Sequence, residues 1–110
     1  MANTFKNAAL ANVNDSAYDT LYTAPASTQV VVLGLAIANK TTNAVTVKVQ
    51  FGDTSATTTH QLLEDVSIPA NTTLETLAGQ KYILEATDTL KVQAGTASAL
   101  DVVLGIMEKS

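Results

Sequence analysis

The chain contains no cysteine, which excludes disulfides and thiolate metal sites and leaves its redox compartment unencoded. Positive charge is scarce too. Six basic residues are scattered among ten acidic ones, for a formal net charge of -4, and no basic stripe is available to neutralise phosphates, so nucleic acid is not expected as a direct partner. Charged residues of both signs make up 15% of the chain, against roughly 25% in ordinary soluble domains. The surface must therefore be built largely from neutral Thr, Asn, Ser and Gln. The longest apolar run, residues 30–38, is too short to cross a bilayer, which needs about 20 apolar residues. The opening MANTFKNAALANVNDS has one early Lys and no sustained apolar stretch, so it does not read as a signal peptide. No membrane partner is expected, and synthesis is expected in the cytoplasm.

Chemistry-bearing patterns are missing as well. His60 is the single histidine, and TTTHQLL gives it neither a nucleophile in a strained turn nor an orienting carboxylate; it reads as a solvated residue at a strand edge. The carboxylates are dispersed. Only Glu64 and Asp65 are adjacent, and on a regular strand they point to opposite faces. There is no EF-hand loop or two-histidine metal motif, and Gly34, Gly52, Gly79, Gly95 and Gly105 are too isolated to form a phosphate-binding loop. No catalytic residue, metal ligand or cofactor site is expected, and the chain is not expected to be an enzyme. Sequons at Asn14, Asn39 and Asn71 are the chance matches a Thr-rich chain produces. Tyr18, Tyr22 and Tyr82 could form a sugar platform, although packing at the edge of a core is the commoner use of an isolated tyrosine.

What remains is a strand pattern. The 110 residues, 46% of them hydrophobic, fit one domain. In VTVKVQF, Val45, Val47, Val49 and Phe51 alternate with Thr46, Lys48 and Gln50, the signature of a half-buried strand. A short HQLL strand follows the polar GDTSATTT, and Pro69 with Asn71 marks a turn. Two further short strands fall between residues 81 and 94. In the first, Tyr82 and Leu84 oppose Lys81, Ile83 and Glu85; in the second, Leu90, Val92 and Ala94 oppose Lys91 and Gln93. Short strands at regular spacing predict an all-β fold, an antiparallel sandwich of jelly-roll or Ig-like type with about eight strands. Residues 1–16, rich in Asn and Ala, read as an extended N-terminal arm anchored by Phe5, Leu10 and Val13, with a helical turn allowed over residues 8–12. The sandwich occupies residues 17–110.

Two strands are apolar on both faces. In TQVVVLGLAIANKT, strict alternation assigns Val31, Leu33, Leu35 and Ile37 to the core and turns Val30, Val32, Gly34, Ala36 and Ala38 outward. In ALDVVLGIM, Leu100, Val102, Leu104 and Ile106 point inward, while Asp101, Val103, Gly105 and Met107 point outward. The outward faces lack bulk and charge, so either the chain's own arm covers them or another subunit packs close on them. Val30, Val32, Val103 and Met107 are the expected lining of that contact.

The order of these elements resembles small virion structural proteins of tailed bacteriophages. The resemblance rests on LYTAP at residues 21–25, NKT at 39–41, IPANTTL at 68–74 and LEATDTLKVQA at 84–94, and it covers nearly the whole chain after the arm. It is a scaffold pattern with no chemical site in it. It implies a compact β-sandwich in a virion, the capsid surface first: a capsid decoration or cement protein, forming a homo-oligomer such as a trimer and binding junctions of the major capsid protein. The alternatives are a neck, tail or baseplate accessory protein contacting other virion proteins, and a host-surface carbohydrate-binding module. In the decoration reading, Phe5, Leu10 and Val13 hold the arm against a neighbouring subunit.

Overall fold

The structure is a computed structural model that describes residues 3–54, 56–75 and 82–109; Gly79 and Lys81 lie outside the described residues. Nine strands follow one another: β1 (Asn3–Leu10), β2 (Asp19–Thr23), β3 (Gln29–Asn39), β4 (Val45–Asp53), β5 (Thr58–Ile68), β6 (Thr73–Glu75), β7 (Tyr82–Leu84), β8 (Thr89–Ala94) and β9 (Leu100–Lys109). No helix is present among the described residues. One sheet has the order β1-β9-β3-β6, with β7 also paired to β3, and the other has the order β2-β8-β4-β5. Every pairing is antiparallel.

The nesting of these pairs decides between the two expected sandwich types. β4 pairs with β5, β3 with both β6 and β7, β2 with β8, and β1 with β9. That is a single long hairpin whose tip lies between β4 and β5, rolled up so that β9 also meets β3 and β8 also meets β4. This arrangement is the jelly roll. β6 and β7 occupy successive stretches of β3, at Ala36–Ala38 and Val30–Val32, and so act as one interrupted strand. Between the sheets lie Leu21, Ile37, Val47, Val49, Ile68, Leu84, Leu90, Val92, Leu100, Val102, Leu104 and Ile106, all buried. Each contributes roughly 1.5–3 kcal/mol relative to exposure.

Three expectations change. First, the segment expected as an arm is the edge of the first sheet: β1 pairs along its full length with β9, from Asn3 opposite Lys109 to Leu10 opposite Val102. It is extended to Leu10, and residues 11–12 form a bend with Asn12 at a left-handed φ of 56°, so no helical turn forms over residues 8–12. A boundary at residue 16 does not separate it from the sandwich, because Val13 is fully buried and its amide donates to the Leu100 carbonyl at 3.0 Å. The Asn14 carbonyl in turn accepts from Ala94 on the other sheet at 3.0 Å, so this connection ties the two layers together.

Second, the inward and outward faces of β3 exchange midway. Val32 opposes Ile106 and Gly34 opposes Gly105, leaving Leu33 as an extra residue in a β-bulge. One extra residue reverses the parity of everything before it. Val30 and Val32 are therefore fully buried and Leu33 is exposed, while Leu35 and Ile37 stay inside as expected.

Third, the HQLL strand is part of the longer β5, and Glu64 with Asp65 does not split across its faces. Val47 opposes Val66 and Val49 opposes Leu63, so both acidic residues lie opposite Lys48 in another bulge. Asp65 takes a left-handed φ of 51° there, a conformation Asp tolerates better than most residues.

Candidate interaction face

The pairing registers place side chains on the outer surface of the first sheet in lateral rows. Phe5 opposes Met107, Met107 opposes Val31, and Val31 opposes Ile83, giving an apolar row across β1, β9, β3 and β7. The middle row is Asn7, Gly105 and Gly34, with the bulged Leu33 beside it. The next row is Ala9, Val103, Ala36 and Glu75. Phe5 is 73% exposed, Ile83 54%, Val103 53% and Leu33 41%. They are the exposed large hydrophobic residues among those described, and all four belong to this one sheet. An antiparallel sheet with a solvated outer face normally alternates apolar with polar residues; here both faces of the central strands are apolar.

Two glycines lie at the middle of this surface. A Cβ added to Gly34 or Gly105 would meet nothing within 4 Å, and neither residue has a positive φ, so the fold of the isolated chain does not require glycine at either position. Glycine within a strand weakens it and often marks a site where another backbone approaches.

The outer surface of the second sheet is its opposite in character. Lys48 opposes Gln93 and Gln50 opposes Lys91. Gln50 Nε2 donates to Gln61 Oε1 at 3.1 Å, and Gln61 Nε2 donates to Glu64 Oε2 at 2.8 Å and to the Tyr18 hydroxyl at 3.1 Å. Lys48 Nζ lies 3.8 Å from Asp65 and 3.5 Å from Glu64, whose charges raise its pKa above the usual lysine value, Asp65 contributing most. This face is polar and its groups bond one another.

The residues expected to form an interface divide accordingly. Phe5, Val103 and Met107 come together on the apolar face. Leu10 is half-buried against the core, and Val13, Val30 and Val32 are buried within it; these four face inward, and Val31, Leu33 and Ile83 belong to the outer patch in their place. Ile83 could have been found, since YIL alternates and Leu84 is buried. Leu33 could not, because in an unbroken apolar run no polar residue marks the bulge.

The remaining candidates are dispersed. The His60 ring stacks on Phe51, with centroids 6.5 Å apart, and its Nε2 meets the Thr58 hydroxyl at 3.1 Å. Among the described residues no group of three or more His, Asp or Glu side chains is placed to hold a metal ion. The tyrosines do not form a common platform. The Tyr18 hydroxyl meets Gln61 on β5, and the Tyr22 hydroxyl donates to Glu108 on the opposite sheet, a carboxylate also paired with Lys6 at 3.0 Å. Tyr82 instead lines an apolar cavity of ≈ 220 Å³ with Val32, Leu35, Phe51, Leu62, Ile83 and Leu90. Of the sequons, Asn39 is buried, and its side-chain amide donates to the carbonyls of Asn43, Ile68 and Pro69.

No family model matches the chain, and no curated protein matches it in sequence. The fold is shared with a chain from Bacillus endospore appendages, described as a family of disulfide-linked pili: the TM-score is 0.52 at 15% identity, over 96% of this chain and 85% of that one. The VP2 subviral particle of infectious bursal disease virus matches with a TM-score of 0.46 at 11% identity, over 96% of this chain and 32% of that one, so this chain spans about a third of VP2. At such identities the likeness is one of fold.

Proposed function

We propose that this chain is a non-catalytic structural subunit of a multi-copy assembly, and specifically a phage capsid decoration or cement protein that stabilises the shell by binding the major capsid protein. The observation that carries this reading is the contrast between the two outer surfaces: one polar and internally bonded, the other a contiguous apolar patch across four strands. Exposed apolar patches of this kind mark association sites in soluble proteins. The resemblance of the order of sequence elements to phage virion proteins suggests the setting. A decoration protein acts by mass action, since a ligand that binds the assembled shell and not its separated subunits shifts the equilibrium toward the shell.

Quantitative mass spectrometry of purified particles tests the assignment. A decoration protein is expected at a copy number close to that of the major capsid protein, and stripping it should lower the temperature at which shells release their contents. A few copies per particle would identify a neck, tail or baseplate part instead, and absence from particles would refute the virion role.

A further inference from the structure

We infer that the occupant of the apolar face is a second copy of this chain, packed face to face about a two-fold axis that passes over Gly105. This inference adopts the face as an association surface and adds the identity and register of what covers it. Its basis is a symmetry in β9. The outward residues of this strand are Asp101, Val103, Gly105, Met107 and Lys109, so that Gly105 is central, apolar residues flank it, and opposite charges stand at equal distances on either side, Asp101 also pairing with Lys40 of its own subunit at 3.0 Å.

A two-fold axis lying between the sheets and perpendicular to the strands sets each β9 antiparallel over its mate. Asp101 then faces Lys109 of the second copy and Val103 faces its Met107. The same operation applied to the neighbouring strands sets Phe5 over Ala9 and Val31 over Ala36, with Ile83 over Glu75 at the edge of the patch. Large side chains meet small ones, which is what interdigitation between sheets about 10 Å apart requires. The unoccupied space above Gly34 and Gly105 receives the exposed Leu33 of the other copy. A two-fold axis running along β9 would instead set Phe5 over Val31 and Lys109 over Lys109, combining overlap of large side chains with like-charge repulsion. An isologous contact demands a self-complementary patch, and the antiparallel register supplies one.

The patch measures about four strand spacings by nine residues, roughly 500 Å² per copy and therefore about 1,000 Å² in total, at the lower bound for a specific interface. The expected dissociation constant is on the order of micromolar.

Sedimentation equilibrium of the full chain should show a monomer–dimer equilibrium in that range. Gly105→Arg, whose Cβ meets nothing within 4 Å in its own subunit, should remain folded by circular dichroism and weaken dimerisation by roughly 100-fold or more. Lys109→Glu, which faces Asp101 of the other copy at the rim, should weaken it only about three- to tenfold, and less at high salt. The register is read by cross-linking, because the chain has no cysteine of its own. A Gly105→Cys variant should be linked by a bifunctional thiol reagent of about 10 Å reach, whereas Lys109→Cys should not, its two copies lying roughly 27 Å apart. A chain that stays monomeric at millimolar concentration, sediments as a trimer, dimerises equally well with Arg at position 105, or cross-links through position 109 would overturn the two-fold. None of those results would alter the particle copy number, so the decoration role stands or falls separately.

Discussion

Asn39 shows how much of the closed end of the sandwich depends on one side chain. Its Oδ1 accepts from the amide and hydroxyl of Thr41 at 2.9 and 2.8 Å, while its Nδ2 serves three carbonyls across two loops. Asn39→Ala would remove these bonds, of which the one to the Ile68 carbonyl is fully buried, at about 3 kcal/mol, so a urea melt should show that loss with an unchanged m-value. At the opposite end, Tyr22 and Glu108 shift each other's titration. Burial and the Glu108 carboxylate raise the Tyr22 pKa well above its ordinary value of 10.0; the Tyr22 hydrogen bond, then Lys6, lower that of Glu108 below 4.5. The unfolded chain releases the tyrosine proton first, so the Tyr22 contribution is complete below about pH 10 and declines as pH rises above it. The Glu108 contribution is complete above its unfolded pKa and is lost as pH falls through the lowered folded value. The stability difference between wild type and Tyr22→Phe should therefore be flat from about pH 5 to 9 and shrink on both sides. A difference that stays constant at alkaline pH would contradict this pairing.

At the scale of the element, β3 separates what alternation reveals from what it hides. In β4 and β8, polar residues interrupt the apolar ones, and there, as in β7, the inward faces read from the sequence are those of the structure. β3 has no such markers over residues 30–38, so one bulged residue was enough to misplace Val30 and Val32, and with them the whole of the expected interface on that strand. β1 was hidden for a different reason. NTFKNAAL has one β-branched residue and little intrinsic strand preference, and its conformation comes from pairing with β9. The apolar face itself was legible, since Val103 and Met107 lie where the closing strand's alternation places them. Deleting Leu33 should test the bulge: Val30, Val32, Leu35 and Ile37 would alternate regularly and remain inside, so the deletion is expected to change stability by less than about 1 kcal/mol. Deleting Ala36 also removes the extra residue but turns Leu35 outward and Gly34 inward, which should cost about 3 kcal/mol or more. Thermal melts of the two deletions should differ accordingly, and equal melting temperatures would contradict the register.

For the whole molecule, the rolled hairpin sets an order of assembly. The β4–β5 ladder ends at Asp53 opposite Thr58, whereas β1–β9 joins Asn3 to Lys109. Loop-closure entropy grows with the length enclosed, so the tip closes at the lowest entropic cost and each outer pair closes more cheaply once the one inside it has formed. The transition state should then contain β4 and β5 packed on part of the core, with β1 and its connection to β2 joining later. Val47 and Val13 report on the two stages, because both are fully buried and their replacement by Ala should cost enough for a reliable kinetic comparison. Val47→Ala is expected to slow refolding, taking most of its effect on the folding limb of the chevron. Val13→Ala should leave the refolding rate nearly unchanged and accelerate unfolding, as a contact absent from the transition state does. Stopped-flow refolding at low protein concentration keeps association out of the measurement. If Val13→Ala slowed refolding as much as Val47→Ala, the chain ends would already be paired at the barrier, and the roll would form by early closure of β1 on β9 rather than outward from its tip.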